Sequence, residues 1–285
     1  MREVRRRPRH VLRRLVRSPA ALVSAVVLAV SVATAVVAPH LAPHGPDDVS
    51  VGSPLTPPGP GLLLGTDQHG RDVLSRILYG ARLSLPVGLS AVAFSMALGS
   101  TMGLSTGFLG GRVDAMGRRV IDIWLGFPEI MLALLIIAVL GIGMTNVVLA
   151  VGISGTPRFA RVVRGSTLVV RESAYVEAAR AAGATNFRII VGHILPNVQA
   201  SIVVLATLYL GRAILESAAL GFLGMGVQPP NPEWGTMLSE GREFMRYAPW
   251  LMVAPGAMLF VTVVSVNLLG DFLREILDPR LPQQH

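Results

Sequence analysis

The chain has 285 residues, of which 52% are hydrophobic and only 15% charged, and it carries no cysteine. A charged share this far below the ~25% of soluble domains excludes an ordinary soluble enzyme, and the lack of cysteine excludes disulfide and thiol chemistry. The formal net charge is +8, but eight arginines fall within the first 17 residues, directly before an apolar run. That placement fits a cytoplasmic flank under the positive-inside rule; no aromatic or groove-reading pattern accompanies it to indicate nucleic acid.

Residues 1–19 form this basic arm. Residues 20–38 are uncharged and rich in Val and Ala. At 1.5 Å per residue they just cross a hydrocarbon core of ~30 Å. Ala33-Thr34-Ala35 resembles a signal-peptide cleavage site, but the run is long for a signal and more apolar runs follow, so a first transmembrane helix is expected. Residues 39–82 read as an extracytoplasmic segment: a Pro/Gly-rich loop to Gly65, then a charged stretch with a short helix starting near Arg71. Ser84–Leu109 is the second span, and its small residues Gly88, Ala91, Ser95, Gly99 and Gly103 predict close helix packing in lipid.

Gly110–Arg119, with three arginines and one aspartate, reads as a cytoplasmic loop. Ile121–Leu140 is the third span and contains Asp122 and Pro128-Glu129. Gly141-Ile142-Gly143 predicts a turn before a fourth span from Thr145 to Thr156, closed by Pro157; the other possibility is one helix over 130–155. From Arg158 to Arg188 six arginines face two glutamates, the mark of the cytoplasmic side. Val198–Leu220 is the fifth span, Gly221–Tyr247 a Gly/Pro-rich outer segment, Pro249–Leu269 the sixth span, and 270–285 a cytoplasmic tail. Residues 83–285 thus form one membrane core with a cytoplasmic loop at 158–196, and both termini lie inside.

Two sets of residues could carry function. The first is Tyr175–Asn197, the longest polar segment between apolar runs. Ala178, Ala179, Ala181 and Ala182 favour a short helix with little bulk. Ser173 is placed to cap it, Glu177 suits its positive end, and Gly183 can take the left-handed conformation that stops it. Pro196 restricts the chain where it re-enters the membrane. The segment reads as a docking handle for another protein. The second set is intramembrane charge: Glu129 in the third span, and Arg212 with Glu216 one turn apart in the fifth. Such groups are costly in lipid and either line a translocation pathway or form an internal ion pair. The six histidines show no metal-ligand spacing, and there is no phosphate-binding loop, so this chain is not itself expected to hydrolyse ATP. His69 and His193 are expected to hydrogen-bond locally.

The handle resembles the EAA signature of permease subunits of bacterial ABC importers. Glu177-Ala178-Ala179, Gly183 and Leu195-Pro196 stand at the signature's spacing, and His193 stands where the general pattern has Ile, a departure similar to the peptide-importer branch. Leu64-Gly65-Thr66-Asp67 with Gly70-Arg71-Asp72, GFLGMGVQPPNPEWGTMLSEGR at 221–242 and NLLGDFLREILDPRL at 267–281 resemble the second permease of dipeptide/oligopeptide importers. The resemblance covers most of the chain from residue 64 onward. It implies an all-α, six-helix type I importer permease in the bacterial plasma membrane, with ATPase coupling through Glu177, Ala178, Ala179, Gly183, His193, Leu195 and Pro196. It also implies the partners: a homologous second permease, two ATPase subunits or domains holding ATP and Mg, and an extracytoplasmic substrate-binding protein. The permease itself would bind no cofactor and catalyse nothing. A nickel or metal-chelate importer of the same branch would look similar. An ion-coupled secondary transporter would need inverted repeats, which are not apparent, and would have no use for a docking helix.

Overall fold

The computed structural model describes residues 15–16 and 18–277; the expectations for most of the basic arm and for the end of the tail lie outside them. The described residues are mostly helical, and the pairing elsewhere is limited to isolated bridges at Gly59–Leu62 and Thr66–Asp72. In chain order the helices are α1 (Pro19–Leu41), α2 (Val73–Leu109), α3 (Gly111–Leu125), α4 (Glu129–Leu140), α5 (Met144–Arg171) and α6 (Ala174–Ala181). Next comes α7 (Asn186–Ile189), which runs through a π-helical turn at Ile190–Ile194 into α8 (Leu195–Phe222). Then follow α9 (Trp234–Gly241), a 3₁₀ turn at Arg242–Phe244 and α10 (Trp250–Leu277).

Among the described residues, four stretches are long and apolar enough to cross a membrane: α1, α2, the continuous 186–222 helix, and α10; the pair α3–α4 makes a fifth if it is one bent span. Six were expected, and the differences have local causes. The expected third span is broken by 92° between α3 and α4. Phe127 precedes Pro128, which disfavours its helical conformation, and Pro128 itself is extended (φ −57°, ψ 127°) and offers no N–H. The expected cytoplasmic loop 110–119 is the first part of α3. The expected fourth span is the start of α5, which Pro157 does not close; the helix continues for fourteen more residues carrying Arg158, Arg161, Arg164 and Arg171, and these keep α5 from qualifying as a span by composition. The glycine turn does separate α4 from α5, with Gly141 at φ +86°. The short helix near Arg71 is instead the beginning of the 37-residue α2, capped by Asp72, whose carboxylate accepts from Ser75 N at 2.9 Å.

Small residues draw α2 and α5 together as the composition predicts. A Cβ added at Gly99 would lie 2.5 Å from both Phe159 Cβ and Thr156 O, and one at Gly103 would lie 2.7 Å from Ala160 O. Ser95 Oγ donates to Gly152 O at 2.6 Å across the same seam.

One end of the bundle is held by buried charge. Arg76 on α2 is 1% exposed and donates to Glu240 of α9 at 3.2 Å and to the carbonyls of Pro46 and Pro230. Asp67 pairs with Arg71 at 2.6 Å, and Glu240 reaches Arg71 at 3.7 Å. Glu233 caps α9 through Gly235 N and Thr236 N and accepts from Ser84 of α2; its burial pushes the carboxyl above the ordinary carboxylate range in spite of those bonds. Trp234 Nε1 donates to Ile77 O and Trp250 Nε1 to Thr66 O. The segments 64–72 and 221–242, distant in sequence, therefore form one locked rim.

Candidate coupling segment and membrane charge cluster

At the opposite end, α5 leads into α6 through Glu172 and Ser173. Ser173 has the extended backbone of a cap (φ −80°, ψ 144°), but its hydroxyl donates backwards to Val170 O at 2.6 Å and makes no cap bond. The expected side-chain cap is therefore not formed, because the preceding turn of α5 takes that hydroxyl. The far end follows expectation. Gly183 sits at φ +80°, its N–H donates to Arg180 O at 3.0 Å, and Ala184 N–H donates to Ala179 O at 3.1 Å. This pair of bonds satisfies the last carbonyls of the helix and stops it after eight residues.

One side chain anchors α6. Val176 is fully buried in a cluster with Leu104 and Phe108 of α2, Val163 of α5, Ile189, Ile194, Val198 and Ile202, and Ala179 packs against its edge. Glu177, Ala178, Ala181, Ala182 and Gly183 face outward. Two arginines fasten the segment to α2. Arg171 Nη1 donates to the terminal carbonyls Gly107 O and Phe108 O, and the Arg180 guanidinium lies 5.8 Å over the Phe108 ring. Ala178, Ala181 and Ala182 leave a small patch on the exposed side of α6, beside the bulkier Tyr175 and Arg180, that a cleft can close on.

Pro196 does not begin the helix. The helix has already begun at Asn186, where Thr185 accepts from Arg188 N, and Pro196 follows the π-helical turn. A proline cannot donate to the preceding turn, and the wider turn accommodates that loss. His193 lies in this turn with its ring 6.5 Å from that of Tyr175; its backbone carbonyl accepts from Asn197, while its ring makes no hydrogen bond among the described residues. His69, by contrast, bonds locally as expected, through Arg71 Nη2 at 3.1 Å.

The intramembrane charges come together. Arg212 Nε donates to Glu216 Oε1 at 3.0 Å and lies 3.1 Å from Glu129 Oε2 on α4. Glu129 also pairs with Arg158 of α5 at 2.9 Å and accepts from the Tyr209 hydroxyl. Glu129 is nearly buried, whereas the Arg212 side chain is 49% exposed, and Glu216 Oε2 has no hydrogen-bond partner. Two carboxylates and two guanidiniums thus balance one another across α4, α5 and α8. Sequence reasoning saw Arg212–Glu216 but missed Arg158 and Tyr209, since partners 29 and 80 residues away leave no local signal. Two further ion pairs, Arg161–Asp122 at 2.7 Å and Arg164–Asp114 at 2.5 Å, tie α5 to α3.

These features define a polytopic helical membrane protein: a locked rim at one end, a small-faced helix projecting from the other, and a neutralised charge cluster between. Residues 99–283 match the family of binding-protein-dependent transport system inner membrane components, and residues 9–58 match the N-terminal TM domain of oligopeptide transport permease C. The chain belongs to this family of ABC importer permeases. It is 49% identical over 217 residues to the dipeptide transport system permease protein DppC of Alkalihalophilus pseudofirmus, covering 76% of this chain and 71% of that one. It is 47% identical to the glutathione transport system permease protein GsiD of Pectobacterium atrosepticum, covering 76% and 72%. In fold it is similar to a chain of the inward-facing MetNI methionine ABC transporter (TM-score 0.58, 20% identity, 70% of this chain and 96% of that one). It is also similar to a chain of an amino acid ABC transporter (TM-score 0.53, 20% identity, 71% and 94%). The architecture is that of type I importer permeases.

Proposed function

We propose that this chain forms one half of the channel of an ATP-driven importer of dipeptides or short oligopeptides. A homologous permease completes the channel, and an extracytoplasmic binding protein delivers substrate at the locked rim. Two ATPase subunits or domains, which hold ATP and Mg, drive it through α6. The chain has no catalytic role of its own. The observation that carries this reading is the construction of α6: eight residues, a small outward face, one buried anchor in Val176, and direct continuity with α5. A push on its exposed face is delivered to α5, and from there to the glutamate and arginines of the charge cluster. The names of the relatives support a peptide-type cargo. A peptide carries an ammonium and a carboxylate, and the half-exposed Arg212 beside Glu216 offers a counter-charge to each as it passes. The plasma membrane, with α6 and both termini on the cytoplasmic side, follows from the arginine distribution.

The test is reconstitution of the complete complex in proteoliposomes with the binding protein outside and ATP inside. Uptake of labelled dipeptide that requires ATP and is competed by other short peptides supports the proposal. Uptake of a nickel chelate without peptide competition moves the chain to the metal-chelate branch. Uptake driven by an ion gradient without ATP refutes the importer reading altogether.

A further inference from the structure

Helix α3 has no role in the account so far, and its surface is unusual. Val113, Met116, Val120 and Ile123 recur at helical spacing on one face and are 46%, 70%, 46% and 67% exposed. This face points away from the protein; the side toward α2 and α5 is made by Gly117, which touches Thr106, by the buried Ile121, and by Asp114. Beside the apolar stripe lie Arg112 and Arg119, both exposed and in no ion pair among the described residues; Arg118, also exposed, sits on the opposite side of the helix. The two acids of the helix are already taken, Asp114 by Arg164 and Asp122 by Arg161. The charge α3 presents outward is therefore positive.

The bend supplies the orientation. Helix α4 is apolar from Ile130 onward, with Met131, Leu135 and Val139 59–79% exposed along one stripe, so it runs into hydrocarbon. Helix α3 leaves it at 92°, so a crossing α4 lays α3 along the membrane plane. An amphipathic helix in that plane, apolar on one face and arginine-flanked, fits the boundary between acyl chains and headgroups. The half-buried Trp124 sits at the junction with α4, where amphipathic rings favour the interface.

We infer that α3 is an interfacial helix that binds anionic phospholipid headgroups of the leaflet on the α6 side through Arg112 and Arg119, with its apolar stripe sunk among the acyl chains. Because Asp114 and Asp122 on its other side hold Arg164 and Arg161 of α5, the leaflet positions the helix that carries α6. This rests on the chain's place in a bilayer and on no particular cargo.

Since the chain has no cysteine, Met116→Cys carries a single fluorophore in a complex freed of other cysteines. The complex is reconstituted with acyl-brominated phosphatidylcholine or acyl-brominated phosphatidylglycerol, each diluted in plain phosphatidylcholine. Both lipids should quench the label, and phosphatidylglycerol should do so at roughly fivefold lower membrane fraction, the ratio expected of one arginine held near an anionic headgroup. The double variant R112Q/R119Q should keep the quenching and lose the preference. Quenching by aqueous iodide but by neither lipid would overturn the inference by placing α3 in water. A label shielded from both iodide and lipid would overturn it by showing that another protein subunit covers the stripe. A preference that survives the double variant would refute the role of the arginines.

Discussion

The two ends of the molecule use charge and size in opposite ways. At the rim, Arg71, Arg76, Asp67 and Glu240 are drawn inward and bonded to one another and to backbone carbonyls. At the other end, Glu177, Ala178, Ala181 and Ala182 point outward, and only Val176 of α6 is buried. A buried ionic network requires several partners at once and has one arrangement, so the rim is a fixed frame. A short helix on one apolar anchor can shift without exposing much surface, so α6 is suited to transmit motion. Between them, α2 and α5 run along the glycine seam.

The comparison can be broken at either end. The largest effect is expected at the rim. Arg76→Met leaves Asp67 and Glu240 short of a buried partner and should cost ~3–5 kcal/mol, read as loss of folded protein in the membrane or a strongly lowered melting midpoint in detergent. Normal yield and midpoint for this variant would show that the rim is no frame. Next is the seam: Gly99→Val forces β-branched bulk against Phe159 and the Thr156 carbonyl and should cost ~1–3 kcal/mol by the same thermal measurement, whereas an unchanged midpoint would mean that α2 and α5 part easily. A smaller, sharper effect is expected in the charge cluster. Arg212→Gln leaves Glu216 without its partner, while Glu129 keeps Arg158; the double variant R212Q/E216Q should therefore recover part of the transport lost in Arg212→Gln. Strictly additive losses would place the two groups in contact with substrate or water and not with each other.

Much of this was legible in the residues themselves. The apolar runs located α1, the main part of α2, α8 and α10. The four-residue spacing of Ser95, Gly99 and Gly103 foretold the seam, and Gly183 foretold the end of α6. Phe127-Pro128 held the signal for the α3–α4 bend, but the continuous apolar run around it read as a single span. The start of α2 was obscured because Arg76, a costly residue for a membrane helix, is neutralised by Glu240, 164 residues away. The pairs joining α5 to α3 and α4 were hidden for the same reason: Arg158, Arg161 and Arg164 read as a cytoplasmic charge excess until packing brings Glu129, Asp122 and Asp114 to them. Val176 gave no sign of being an anchor, since one valine in a polar helix has no pattern.

The central claim is that α6 transmits and does not support the fold. The most direct measurement is made on Ala182→Asp, an exposed position, in preference to Ala179, whose contact with the apolar cluster would confuse folding with coupling. In proteoliposomes containing the full complex, ATP-driven uptake and ATPase co-purification are followed together with the melting midpoint of the permease pair. The account predicts an unchanged midpoint, intact pairing with the second permease, and uptake reduced at least tenfold with weakened ATPase binding or hydrolysis without transport, the loss of about 1.4 kcal/mol or more of coupling. Normal uptake and ATPase association in this variant, or a collapse of the midpoint, would contradict it.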